Sequence, residues 1–277
     1  MAENLTKHLA KLSKRGPHRV LTGELDFVGL PGKIYTPAEG HALAGVAFGH
    51  DWLKDIKNYH ATLRHLASWG IVVAAPNTET GLTPNHRGFA SDLETCLQVL
   101  TGVKLGTGNI TVAPGRIGVI GHGMGAGAAV LTAAGRGNLK AVVAAYPSTV
   151  TPSAEEAAAE VHSPGLVLGT GEYAFFDYGN PANLAAQWAG PVAYREVEGA
   201  NHDVLNESRL FPLLTGLCNR HITRERVRGL ITGFLLATLT NERKYSGFRA
   251  ADSYAKKVTS IHGSELLAKA DFAQYAD

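Results

Sequence analysis

Short apolar runs alternate with amphipathic segments along most of the chain. The apolar runs end at glycine or polar residues, which is typical of buried strands. The segments between them repeat their apolar positions with helical spacing, as in residues 59–69, where Gly70 follows as a C-terminal cap. Helices are also predicted at residues 87–100, 126–134, 210–217 and 224–240. The predicted strands are residues 32–37, 43–48, 71–75, 116–120, 140–145, 165–168 and 194–197.

Strands that alternate with helices predict the α/β class, with a mostly parallel central sheet covered by helices on both faces. Ligands bind such sheets beyond the carboxyl ends of the strands. The loops after Phe48, Ile120, Leu168 and Val197 are therefore where we expect the functional residues.

The chain divides into one large domain with two short flanking segments. Residues 1–18 carry Leu5, Leu9 and Leu12 on one face of a predicted amphipathic helix, which we expect to pack on its own domain. Residues 19–250 form the predicted α/β domain, and residues 251–277 form a polar, partly helical tail.

Composition excludes several classes of protein. Of 277 residues, 45% are apolar and 18% are charged, which excludes wholesale disorder. The 26 Lys and Arg exceed the 24 Asp and Glu by only two, so we expect no nucleic-acid partner. The sequence has neither a transmembrane segment nor an apolar signal core, and it reads as cytoplasmic. Two cysteines, Cys96 and Cys218, are too few for a disulfide framework or a zinc cage.

The most informative stretch is Gly121-His-Gly-Met-Gly125, where a predicted strand runs through a glycine-rich turn into a helix. This is the context of the Gly-x-Ser-x-Gly turn that presents a nucleophilic serine, but the residue at the tip is Gly123. A phosphate-binding loop is a weaker interpretation, because this is not the first strand-helix unit and no acidic residue follows about 20 positions later. Plain packing of helix on strand is the remaining alternative.

A histidine and two carboxylates follow in the order expected of a catalytic triad. His202 comes after the predicted strand 194–197, and the loop after Leu168 contains Glu172 and Asp177. We expect His202 and one of these acids to reach the same edge of the sheet as Gly123.

Six stretches in preserved order resemble α/β hydrolases of the dienelactone-hydrolase superfamily, above all the cutinase-type polyester hydrolases. They are residues 29–37, 66–73, 118–125, 138–141, 198–202 and 241–248. The resemblance implies an α/β-hydrolase fold and esterase machinery that needs no cofactor.

The same resemblance implies roles for individual residues. Gly123 stands at the nucleophile position, His202 matches the general base, and the backbone N–H groups of His50 and Met124 match the oxyanion hole. A gap-free match places the family's aspartate at Tyr173, so Glu172 would serve after a shift of one residue, with Asp177 in reserve. Trp52 and His122 complete the residues expected to line the ligand site.

Glycine has no side chain with which to attack a carbonyl, so ordinary serine-esterase turnover is not expected. The leading hypothesis is a catalytically silent hydrolase that still binds a small acyl, ester or lactone-like ligand. The second is an active hydrolase, either one whose serine was replaced by design or one that uses water activated by His202. The third is an interaction scaffold that binds a protein partner through the N-terminal helix or the C-terminal tail.

A metal site is a further interpretation of the region near the predicted oxyanion hole. His50, Asp51 and His60 are residue types that bind metals. Because the resemblance makes His50 an oxyanion residue, we expect no metal.

Overall fold

The computed structural model describes residues 2–170, 179–208 and 221–274. Within these residues, nine strands form one sheet in the order β1-β2-β4-β3-β5-β6-β7-β8-β9. The strands are β1 (Val20–Glu24), β2 (Gly32–Pro37), β3 (Gly40–Gly49), β4 (Ile71–Pro76), β5 (Ile110–His122), β6 (Ala141–Ala145), β7 (Gly165–Gly169), β8 (Val192–Val197) and β9 (Val258–Ile261).

Helices cover both faces of this sheet. In chain order they are α1 (Thr6–Leu12), α2 (His60–Ser68), α3 (His86–Gly102), α4 (Met124–Ala134), α5 (Ala154–Ala158), α6 (Pro181–Ala186), α7 (His221–Leu239) and α8 (Ser264–Gln274). Short 3-10 turns occupy Asp26–Val28, Ile56–Tyr59, His202–Leu205 and Arg243–Arg249.

The six strands from β3 to β8 pair in parallel, whereas β1, β2 and β9 join the sheet by antiparallel pairing. The predicted class, a mostly parallel α/β sheet with helices on both faces, is confirmed. Strands β4, β6 and β7 are buried at every position, which explains their uninterrupted apolar runs.

Two hydrophobic cores lie on opposite faces of the sheet. One packs α1, α2 and α7 against it, and the other packs α3 to α6 and α8. The leucines of the N-terminal segment, Leu5, Leu9 and Leu12, are buried in the first core. Cys96 is buried in the second core, whereas Cys218 lies outside the described residues.

The C-terminal segment also contributes to the fold. Strand β9 extends the sheet beside β8, and the backbone N–H of Leu5 donates to the carbonyl of Tyr254 at 2.8 Å. Both chain ends are thus held on the α/β domain. Within the described residues, no helix combines the length and apolar character needed to cross a membrane.

The register of β3 and β5 positions the candidate site. Gly49 and Gly121 are paired, so the two neighbouring parallel strands end at the same level. The loop that follows β3 therefore begins beside the turn that joins β5 to α4.

Candidate active site

The turn between β5 and α4 is built for close backbone approach. Gly123 has φ 55° and ψ −120°, a conformation that glycine tolerates and other residues adopt only with strain. A Cβ on Gly121 would lie 1.8 Å from the carbonyl oxygen of Gly125, and one on Gly125 would lie 2.3 Å from the carbonyl of Gly49. The glycines therefore let β5, α4 and the end of β3 meet.

His202 lies next to this turn and comes from the loop that follows strand β8. It begins the 3-10 turn that follows β8, and its side chain is only 12% exposed. The backbone carbonyl of His202 accepts a hydrogen bond from Nε2 of His122 at 2.6 Å. The described structure thus brings His202 to the edge of the sheet where Gly123 lies.

The Asp51 carboxylate fills the space beside Gly123. A Cβ built on Gly123 would lie 1.9 Å from Oδ1 of Asp51. Oδ1 accepts a hydrogen bond from the backbone N–H of Met124 at 2.9 Å, and Oδ2 lies 3.1 Å from Nε2 of His202. The carboxylate therefore lies where a side chain at the tip of the turn would project.

The surroundings of the Asp51 carboxylate favour its ionised form over its protonated form. Burial by itself would raise the pKa of Asp51. The hydrogen bond from His202, the two neighbouring imidazoles and the Met124 N–H together outweigh burial and hold the pKa well below its ordinary value. Asp51 is therefore ionised throughout the physiological pH range, and Nε2 of His202 carries the hydrogen that faces it.

A buried chain of hydrogen bonds joins the backbones of Asp51 and His202. The N–H of Asp51 donates to the hydroxyl of Tyr59 at 3.2 Å, and that hydroxyl donates to Nδ1 of His122 at 2.8 Å. Burial lowers the pKa of His122 to about 4, so the ring is neutral near pH 7. Because Nε2 faces the carbonyl of His202, the single ring hydrogen lies on Nε2.

The remaining predicted site residues have different surroundings. The His50 ring is fully buried and packs against Phe89. Its Nδ1 lies 2.9 Å from the carbonyl oxygen of Asp51, and its Nε2 lies 2.7 Å from the carbonyl oxygen of Thr78. Trp52 is 43% exposed, and its indole N–H donates to the carbonyl of Leu82 at 3.2 Å. His122 is fully buried behind His202.

The two candidate acids of the triad, Glu172 and Asp177, lie outside the described residues. Of the residues considered as metal ligands, His60 contacts the Tyr35 hydroxyl at 3.2 Å. No group of three or more metal-binding side chains occurs in the part of the chain that the structure describes.

Sequence reasoning missed the position of Asp51 and the link through Tyr59. One signal was present: a carboxylate directly follows the predicted oxyanion residue, and the tip of the turn has no side chain. The sequence does not show that Asp51 and His202, which are 151 positions apart, lie in contact.

Comparison with known proteins agrees with this architecture. No curated protein gives a significant match to the chain. Residues 8–209 match the PET hydrolase-like family, and this range includes β1 to β8 and all the described residues that surround Gly123. The chain therefore belongs to the PET hydrolase-like family, and its nine-stranded sheet with flanking helices is an α/β-hydrolase fold.

Proposed function

We propose that this chain is a PET hydrolase-like protein that is silent toward carboxylic esters and binds a small acyl or ester-like ligand. The observation that carries the proposal is the Asp51 carboxylate in the space beside Gly123, in contact with Met124 and His202.

Three parts of a serine-hydrolase mechanism are altered at this site: the residue at the tip of the turn, one oxyanion donor and the histidine. The tip of the turn has no hydroxyl to form an acyl-enzyme. The N–H of Met124, which would stabilise an oxyanion, donates to Asp51. Nε2 of His202 faces an acceptor, so it donates a hydrogen bond instead of accepting the proton of a nucleophile. Loss of the nucleophile alone lowers kcat by about 10⁶-fold, or roughly 8 kcal/mol of barrier.

A ligand with an apolar chain suits the surface next to the site. Trp52 and Leu53 directly follow Asp51 and are 43% and 45% exposed, and Leu82, whose carbonyl accepts from Trp52, is 74% exposed. Exposed apolar residues clustered in this way are typical of a ligand contact surface.

Binding and turnover of one compound test the proposal together. We expect p-nitrophenyl butyrate to raise the melting temperature saturably without release of p-nitrophenol above the buffer rate. Trp52→Ala weakens this stabilisation, whereas Lys104→Ala, an exposed change elsewhere, leaves it unchanged. Release of p-nitrophenol that a serine-directed reagent abolishes would contradict the proposal.

The alternative of water activated by His202 needs Nε2 to accept a hydrogen bond from that water. The contact of 3.1 Å between Nε2 and the Asp51 carboxylate opposes this role. Ester turnover that His202→Ala abolishes and serine reagents leave intact would favour the alternative.

A further inference from the structure

The Asp51 carboxylate engages one of the two expected oxyanion donors and the expected general base. Oδ1 receives the N–H of Met124, and Oδ2 receives Nε2–H of His202. One oxygen thus accepts from the N–H expected to stabilise an oxyanion, and the other lies beside the histidine expected to act as the base.

The position of Asp51 is fixed through its backbone. Its N–H donates to the hydroxyl of Tyr59, and its carbonyl oxygen lies 2.9 Å from Nδ1 of His50. Tyr59 continues through His122 to the carbonyl of His202. Charge-assisted and buried hydrogen bonds of this kind hold a reactive group in one geometry. A side chain that only filled an empty space would not need a network that also positions the histidine.

We propose that Asp51 is a catalytic nucleophile toward an sp³ carbon that carries a leaving group able to depart as a stable anion, such as a primary alkyl halide. Attack of a carboxylate on a carboxylic ester would give an anhydride, which is less stable than the ester. Attack on an alkyl carbon instead gives an ordinary alkyl ester of Asp51. The low pKa of Asp51 keeps the nucleophile ionised at every working pH.

The first step forms one bond and breaks one bond. A lone pair of Oδ2 forms the C–O bond while the C–halogen bond breaks, and the halide leaves with the bonding pair. Alkylation removes the charge that held Nε2–H of His202. The ring then gives the Nε2 proton to solvent and takes one from solvent at Nδ1, so that Nε2 becomes an acceptor.

The second step returns the enzyme to its starting state. His202 takes a proton from water as the water oxygen attacks Cγ of Asp51, and the negative charge develops on Oδ1, where Met124 N–H stabilises it. The Cγ–Oδ2 bond then breaks, and Nε2 of His202 protonates the departing alkoxide. The second proton of the water passes from the new carboxylic acid of Asp51 to Nε2, and Nδ1 releases its proton to solvent. The sum is alkyl halide plus water to alcohol, halide and a proton, and the alcohol carries the original Oδ2.

The exposed residues next to Asp51 suit an alkyl substrate. Trp52 and Leu53 continue the chain from the nucleophile, and both present apolar surface to solvent. A short, uncharged alkyl chain loses little by leaving water for such a surface. We therefore choose 1-bromobutane as the probe.

The experiment measures bromide release and the intact mass of the full-length protein. We expect the parent chain to release bromide catalytically, and His202→Ala to stop at one butyl group attached to Asp51. Asp51→Asn lowers bromide release at least about 10³-fold. Asp55→Asn removes a carboxylate from the same loop and keeps a capping side chain on the turn Ile56–Tyr59, so it retains the parent rate. Circular dichroism of each variant verifies that it is folded.

Isotope labelling tests the covalent step directly. In a single turnover in ¹⁸O-water, we expect the label in the Asp51 carboxylate and unlabelled oxygen in the butanol. Label in the butanol, or no bromide release and no butyl adduct with the folded parent chain, would overturn the inference.

The inference rests on the proposed absence of serine chemistry, but different results would refute the inference and the proposed function. Turnover of p-nitrophenyl butyrate with sensitivity to a serine reagent refutes the proposed function. Inert behaviour toward 1-bromobutane refutes the role of Asp51 and leaves the proposed function standing.

Discussion

A side chain placed on Gly123 and the carboxylate of Asp51 cannot occupy the same space. In Gly123→Ala, the new Cβ would lie 1.9 Å from Oδ1 of Asp51, so the carboxylate must move. The change also forces a residue with a side chain into φ 55°, ψ −120°. We therefore expect the variant to lose stability from backbone strain and from the hydrogen bonds that Asp51 gives up.

The magnitudes follow from these two terms. Strain of this type costs about 1–3 kcal/mol. A hydrogen bond to a charged group contributes about 1.5–3 kcal/mol, and displacement of Asp51 weakens one to Met124 and one to His202. About 2 kcal/mol of strain and about 2 kcal/mol from two hydrogen bonds that each lose half of their strength give about 4 kcal/mol. This corresponds to a fall of roughly 10 °C in the melting temperature of a chain of this size.

A double-mutant cycle separates the two terms. In an Asp51→Ala background the carboxylate is absent, so Gly123→Ala costs the strain alone. We expect the two changes together to cost about 2 kcal/mol less than the sum of the single changes. The measurement is urea unfolding of the parent, both single variants and the double variant. Additivity within about 0.5 kcal/mol would show that Asp51 does not lie against Gly123 and would refute the proposals built on that contact.

Three further outcomes are expected in urea unfolding. Burial lowers the pKa of His65 to about 4, below the ~6.5 of an exposed histidine, so the stability that neutral His65 contributes is complete above about pH 6.5 and is lost as the pH falls toward 4. His65→Gln makes the free energy of unfolding depend less steeply on pH in this range. An unchanged pH dependence contradicts this reasoning. Arg228→Ala leaves the Glu207 carboxylate, 14% exposed and 2.6 Å from the guanidinium, without that partner and costs about 3 kcal/mol or more; a loss below about 1 kcal/mol would mean that the pair behaves as if it were on the surface. Gly121→Ala drives a Cβ into backbone and severely destabilises the protein, whereas Gly115→Ala meets open space; similar losses for both would refute the close packing of the turn.

The central strands could be predicted from the sequence because burial on both faces gives an uninterrupted apolar run. β4 and β7 show this pattern at every position. β1 and β9 were missed for the opposite reason: each lies at an end of the sheet, and neither is an uninterrupted run of buried residues. Their sequences therefore resemble loops, and only the pairing partner makes them strands.

The edge of the sheet that carries the candidate site followed from topology, since parallel strands present their carboxyl ends together. The identity of the group beside Gly123 did not follow. It depends on the register of β3 with β5 and on the direction of the chain after His50, which local patterns do not record. The sequence also gave no sign that Tyr59 and His122 would join Asp51 to His202 through buried hydrogen bonds.

The level pairing of Gly49 with Gly121 has a consequence for how such proteins diversify. Two loops that leave adjacent strands at one level reach a common point. In the proposed role of Asp51, a reactive group absent from one loop is replaced from the other without a change in the sheet. Evolution could therefore pass between nucleophiles through single substitutions in either loop. Laboratory redesign of this family can follow the same route by varying the position that follows the oxyanion residue in combination with the tip of the turn.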